Sequence, residues 1–139
     1  MLVKDIMTNK IRAIAADHTV ADAAKAMKAD DIGFLPIVSA EKKVVGALSD
    51  RDIVLRAIAA GLDPKTTKAS DIATKGVVWC RADDTVEKAS NLMADKKIRR
   101  LLVVDAQDRP AGTLSLGDVA VKAEPKTLAA EVLVEVSKN

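Results

Sequence analysis

Displaced along itself by 66 residues, the chain meets its own pattern, with Asp5–Ala57 lying over Asp71–Ala123 without a gap. "DIMT" meets "DIAT", and "ADHTVADAAKAM" meets "ADDTVEKASNLM". "IGFLPIVSAEKKVVGALSDRD" meets "IRRLLVVDAQDRPAGTLSLGD". The matches fall on apolar periodicity and on Gly, Ser and Asp at turns, where structure constrains sequence. Such a repeat restricts the fold to two copies of one supersecondary unit. A copy of about 55 residues buries too little surface to be stable alone, so the two are expected to pack together.

Each copy reads as strand, helix, strand, strand, helix. "IRAI" (11–14) and "VVWC" (77–80) are short runs suited to strands. Thr19 and Thr85 stand where a hydroxyl caps a helix by accepting a first-turn amide. The helices that follow are expected to turn Val20, Ala23, Ala24 and Met27, then Val86, Ala89, Leu92 and Met93, toward a core. "FLPIV" and "LLVVD" read as apolar strands, joined by the polar loops "SAEKK" and "AQDRP" to "VVGAL" and "AGTLS". Pro36 inside the first of these predicts an edge or strand-end position, because proline donates no ladder bond. A strand–helix–strand connection implies a right-handed parallel crossover, and the hairpin adds an antiparallel strand. The fold class is therefore α+β, with small mixed sheets flanked by helices. "GLDPKTTKAS" reads as a polar linker, and the tail "PKTLAAEVLVEVSKN" has no counterpart in the first copy. Its Leu128, Val132, Leu133 and Val136 form a helical stripe in need of a surface.

The repeated trio is Gly46, Ser49 and Asp52, then Gly112, Ser115 and Asp118. Helix capping accounts for Ser and Asp at this spacing, with each serine as N-cap and each aspartate answering it. Capping does not account for the glycine, which permits close approach of a ligand or of another backbone. Binding uses the same geometry. Amides at a strand-to-helix turn suit a phosphate, a serine hydroxyl bonds a phosphate oxygen, and a carboxylate suits the two hydroxyls of a ribose. Both readings stand together, because a first helical turn has several amides to satisfy.

Residue usage narrows the chemistry. With 22 basic and 20 acidic residues, the chain lacks the one-sided charge of a nucleic-acid binder. The basic cluster "ADKKIRR" reads as a solvated helix end at Lys96 and Lys97, and it has no stacking aromatics. One Cys and one His leave no zinc-ligand spacing. His18 reads as a surface residue before a cap, and Cys80 as a buried small hydrophobe. No apolar run approaches the length of a membrane span. "MLVKDIMTNK" lacks the apolar core of a signal peptide, and a single cysteine fits a reducing compartment, so a cytoplasmic location is expected.

The pattern "DIMT…TVADAAKAM…IGFLPIVS…VVGALSDRDI" resembles a cystathionine β-synthase (CBS) domain, and the two copies together resemble a free-standing bacterial CBS pair. The likeness runs from Lys4 to about Lys122. It implies two βαββα repeats related by a pseudo-twofold axis: repeat one at 1–60, a linker at 61–70, repeat two at 71–123 and a helical tail at 124–139. It also implies two clefts that take adenosine-containing ligands of the AMP, ATP, NAD or S-adenosylmethionine type. By this resemblance Asp52 and Asp118 hold ribose hydroxyls, while Ser49 and Ser115 contact phosphate. Ala13 and Ile14, Trp79 and Cys80, Phe34, Leu35, Pro36 and Ile37, and Arg100, Leu101, Leu102 and Val103 line the base slots. Arg99 reaches phosphate in one cleft. Its counterpart is Gly33, so Arg51 is the candidate cation of the other. Leu102 replaces the family's proline, and Leu116 and Gly117 make the second motif less polar, so the clefts are expected to differ.

The function expected is a non-catalytic sensor of an adenosine ligand, with no metal and no catalytic cofactor. The alternative is a dimerisation module with vestigial clefts; an enzyme finds no plausible base here. A homodimer is expected, with the tail helix and the faces of Ile53–Ile58 and Val119–Val121 as candidate contacts. An effector protein in trans is expected to read the signal, with no nucleic-acid or membrane partner.

Overall fold

A computed structural model describes residues 1–138. In the first copy a single helical turn, α1 (Val3–Ile6), precedes β1 (Ile14–Ala15), α2 (Val20–Asp30), β2 (Phe34–Val38) and β3 (Val44–Ser49). A short helix α3 (Asp50–Asp52) then continues in π-helical form over Ile53–Ile58. The second copy follows the same plan: α4 (Ala69–Ile72), β4 (Trp79–Arg81), α5 (Val86–Lys96), β5 (Arg100–Val104), β6 (Pro110–Ser115) and α6 (Leu116–Lys122). The tail forms α7 (Thr127–Val136). Each copy builds a three-stranded sheet, ordered β1-β2-β3 and β4-β5-β6. β1 runs parallel to β2 and β4 parallel to β5, while β2 and β3 are antiparallel. The α+β architecture of small mixed sheets flanked by helices is the one the repeat pattern implies.

Several local expectations shift. The first strands start later than "IRAI" and "VVWC" suggest, because a strand extends only as far as its partner: β1 pairs only with Ile37 and Val38. Pro36 sits within the middle strand of its sheet, opposite Ala47, rather than at an edge. It is nevertheless beyond the reach of β1, so it has a neighbour on one side only, which is what a missing N–H tolerates. Ala24 is exposed, and Ala26 takes its place on the buried stripe of α2.

Helix ends explain where the helices sit. Asp22 N–H donates to Thr19 Oγ1 at 3.1 Å, and Thr19 N–H donates to the Asp22 carboxylate at 3.0 Å. Thr85 accepts from Lys88 N–H at 3.1 Å. Asp31 and Lys97 close their helices in the left-handed region, at φ 53° and 55°.

Compactness does not follow the order of the repeats. One unit gathers Arg12–Val77 with Asp108–Pro110; the other gathers Met1–Ile11, Val78–Gln107 and, among the described residues, 111–138. The exchange is symmetric. α1 buries Val3 and Ile6 in the second-copy core, with Val3 N–H donating to Asp84 O at 2.8 Å. α4 buries Ala69 and Ile72 in the first-copy core, with Ala69 N–H donating to His18 O at 2.7 Å. The tail stripe finds its surface within the second-copy unit, where Leu128, Ala129 and Val132 are buried and α7 packs on α5 and α6.

Candidate functional site

Both trios form the same structure. Asp52 N–H donates to Ser49 Oγ at 3.1 Å, and Ser49 N–H donates to Asp52 Oδ2 at 2.9 Å. In the second copy Asp118 N–H donates to Ser115 Oγ and Ser115 N–H to Asp118 Oδ2, both at 3.0 Å. The capping box is thus complete twice. It leaves chemistry in reserve. A serine hydroxyl that accepts an amide keeps its own hydrogen to donate, and each carboxylate keeps Oδ1.

The glycine is explained by backbone, as one of the two alternatives required. A Cβ on Gly112 would run into the Thr8 carbonyl, and one on Gly46 would come within 3.2 Å of the Thr74 carbonyl. Thr8 N–H donates to Thr113 O and Thr74 N–H to Ala47 O, each at 2.9 Å. The glycines therefore let the segment after α1, and that after α4, lie flat against β6 and β3. These segments carry residues that spacing along one motif did not point to. Thr8 Oγ1 lies 3.5 Å from the Asp118 carboxylate. Only the repetition of threonine in "DIMT" and "DIAT" hinted at them.

A cation completes each site. Lys122 Nζ stands 3.6 Å from Asp118 Oδ1 and donates to Ile6 O at 3.3 Å. Arg56 stands 3.7 Å from Asp52 Oδ1 and donates to Ile72 O at 3.3 Å. All four positions repeat at the displacement of 66 residues, and in each copy the cation beside the aspartate is held by the last carbonyl of the helical turn that opens the other copy. Asp52 and Asp118 are each mostly buried, at 15% side-chain exposure.

The other candidate residues are distributed more widely. Ile14, Leu35, Cys80 and Leu101 are buried among their own unit's core residues. Pro36 and Leu102 are buried without joining those core clusters, consistent with the opposite sheet face. Phe34 is half-buried, and Ala13, Trp79, Arg51, Arg99 and Arg100 are exposed. Arg51 lines a shallow hollow with Asp50, Val54 and Leu55. Burial pushes the Cys80 thiol up to about 12, so it is protonated and inert as a nucleophile at neutral pH. Among the described residues no group of three or more His, Cys, Asp or Glu converges as a metal site. No helix among them is long and apolar enough to cross a membrane.

A family model described as "CBS domain" matches residues 3–58 and again residues 69–123. The chain is 36% identical over 135 residues to the CBS domain-containing protein YhcV of Bacillus subtilis, covering 97% of this chain and 94% of that one. Its structure is similar to the CBS domain pair of protein MJ0100 in complex with 5′-methylthioadenosine and S-adenosyl-L-methionine. That likeness has TM-score 0.73 and 28% identity, over 86% of this chain and 93% of that chain. CBSX2 in complex with AMP is similar at TM-score 0.71 and 27% identity, over 86% and 93% of the two chains.

Proposed function

The chain belongs to the CBS domain family, and on that premise we propose that it is a regulatory module, without catalysis of its own, that holds adenosine-containing ligands. Asp52 and Asp118 accept from ribose hydroxyls through Oδ1, and Ser49 and Ser115 donate to the group carried on the ribose. Thr8 and Thr74 flank the sugar. The observation that carries this reading is the doubled set of Thr, Ser, Asp and cation. A helix cap needs Ser and Asp alone, and core burial needs neither side chain; neither gives a reason for a threonine and for a basic residue four positions after the aspartate to recur in both copies. The complexes of the MJ0100 pair and of CBSX2 support adenosine as the shared part of the ligand.

Thermal unfolding with AMP, ATP, NAD and S-adenosylmethionine, at matched ionic strength, tests the reading. A ligand at 100 times its dissociation constant adds about 2.7 kcal/mol, a clear upward shift. The shift should shrink in Asp52→Asn and in Asp118→Asn. A second reading is favoured by the completeness of both capping boxes, namely a dimerisation module whose Ser and Asp serve helices only. Absence of a shift with every adenosine compound would select it.

A further inference from the structure

We propose that the two sites divide adenosine ligands by charge: the Asp118 site takes a phosphorylated one, and the Asp52 site takes one without phosphate or net negative charge, either a neutral nucleoside or an adenosyl sulfonium. The inference rests on the adenosine reading above and specifies the ligand class of each site.

The contrast begins at one shared bond. Asp50 N–H donates to Gly33 O at 3.0 Å, and its counterpart Leu116 N–H donates to Arg99 O at 2.8 Å. Positions 33 and 99 are therefore held beside the residue after the serine in the same way. What they bring differs. A Cβ at Gly33 would lie 2.7 Å from Asp50 Oδ2, so the Asp50 carboxylate occupies the space a side chain there would need. In the second copy Leu116 is uncharged and Arg99 carries an exposed guanidinium. The pair of positions 33 and 50 thus brings an anion in the first copy, and the corresponding pair, 99 and 116, brings a cation in the second.

The neighbouring charges widen the difference. Arg100 opens β5 where Phe34 opens β2, and both Arg99 and Arg100 are without an ion pair among the described residues. In the second copy, then, Lys122 pairs with Asp118, while Arg99 and Arg100 add two exposed cations at the start of β5, beside an uncharged residue after the serine. Around Asp52, Arg51 and Arg56 are matched by Asp50 and Asp52, and Arg51 shares its hollow with Asp50. A surplus of positive charge attracts a phosphate group and repels a sulfonium, while a balanced site with a carboxylate beside the serine does neither. Burial of phosphate beside Asp50 also adds a like-charge contact that the second copy lacks.

The test uses the full chain and titration calorimetry with AMP, adenosine and S-adenosylmethionine. Asp52→Asn and Asp118→Asn each disable one site while keeping an oxygen for the cap, and melting curves confirm that each is folded. Asp118→Asn should weaken AMP binding by about tenfold or more and leave adenosine and S-adenosylmethionine bound, whereas Asp52→Asn should do the reverse. The double change Gly33→Arg with Asp50→Leu, made in Asp118→Asn, should restore AMP binding at the first site. Raised salt should weaken AMP and spare adenosine. AMP affinity that survives Asp118→Asn, or that falls equally in both variants, overturns the division by charge while the adenosine reading stands. No binding of any of the three to the wild type overturns both.

Discussion

Ser90 is fully buried in α5, and its hydroxyl has no hydrogen-bond partner among the described residues. The first copy has Ala24 at the same repeat position. An unpaired buried hydroxyl costs about 1–3 kcal/mol, so Ser90→Ala should raise stability by about 1 kcal/mol in denaturant unfolding. A lower midpoint would mean that the hydroxyl has found a partner in solution. Cys80 is the other informative residue. Burial lifts its thiol from 9.0 to about 12, so the folded chain keeps a proton that the unfolded chain loses. Its contribution is fully present below about 9 and is lost as pH rises toward about 12. Between those limits, stability should fall more steeply in the wild type than in Cys80→Ala. Parallel curves would show that the thiolate is solvated after all.

At the scale of elements, α1 is the most instructive. By sequence it opens the first copy, yet Ile6 is packed with Cys80, Met93 and Leu101 of the second. Ile6→Ala should cost about 2–5 kcal/mol. The distinctive readout is where the loss appears: amide exchange should quicken in β4, α5 and β5 and remain slow in β2 and β3. Loosening confined to the first copy would contradict the exchange of segments. The mechanism is hydrogen bonding as much as burial, since Val3 N–H and Lys4 N–H both donate to carbonyls of the second copy. The same kind of bond recurs where residues of the 61–70 stretch cap α2, with Val20 N–H donating to Thr67 O and Ala21 N–H to Pro64 O. A stretch that reads as polar spacer is therefore structural.

For the molecule as a whole, the proposed homodimer is the property most open to test. Val54, Leu55 and Ile58 are each about half exposed on the π-helical stretch, and Leu62 follows them. The tail is a weaker candidate, because much of its stripe is already buried; Leu133 and Val134 remain exposed. Sedimentation velocity should give a dimer for the wild type, and Leu55→Glu should shift it toward monomer without lowering the melting temperature of the dilute chain. A wild-type monomer at high concentration would refute the assembly.

Much was legible in the sequence because it is local. Periodicity, the threonine caps and the Ser–Asp turns depend on residues within a few positions of one another, and 66-residue self-similarity supplied the rest of the α+β plan. Pro36 shows the limit, since whether a strand is an edge depends on how far a distant partner reaches. Gly46 and Gly112 show it again: their spacing announced a close approach, but not that Thr74 and Thr8 would be what approaches. By itself the sequence determined the repeated unit, its caps and the identity of the paired carboxylates. Only the tertiary structure decided that the cation beside each carboxylate is held by a carbonyl of the helical turn that opens the other copy, because core burial and backbone pairing act between segments that sequence distance keeps apart.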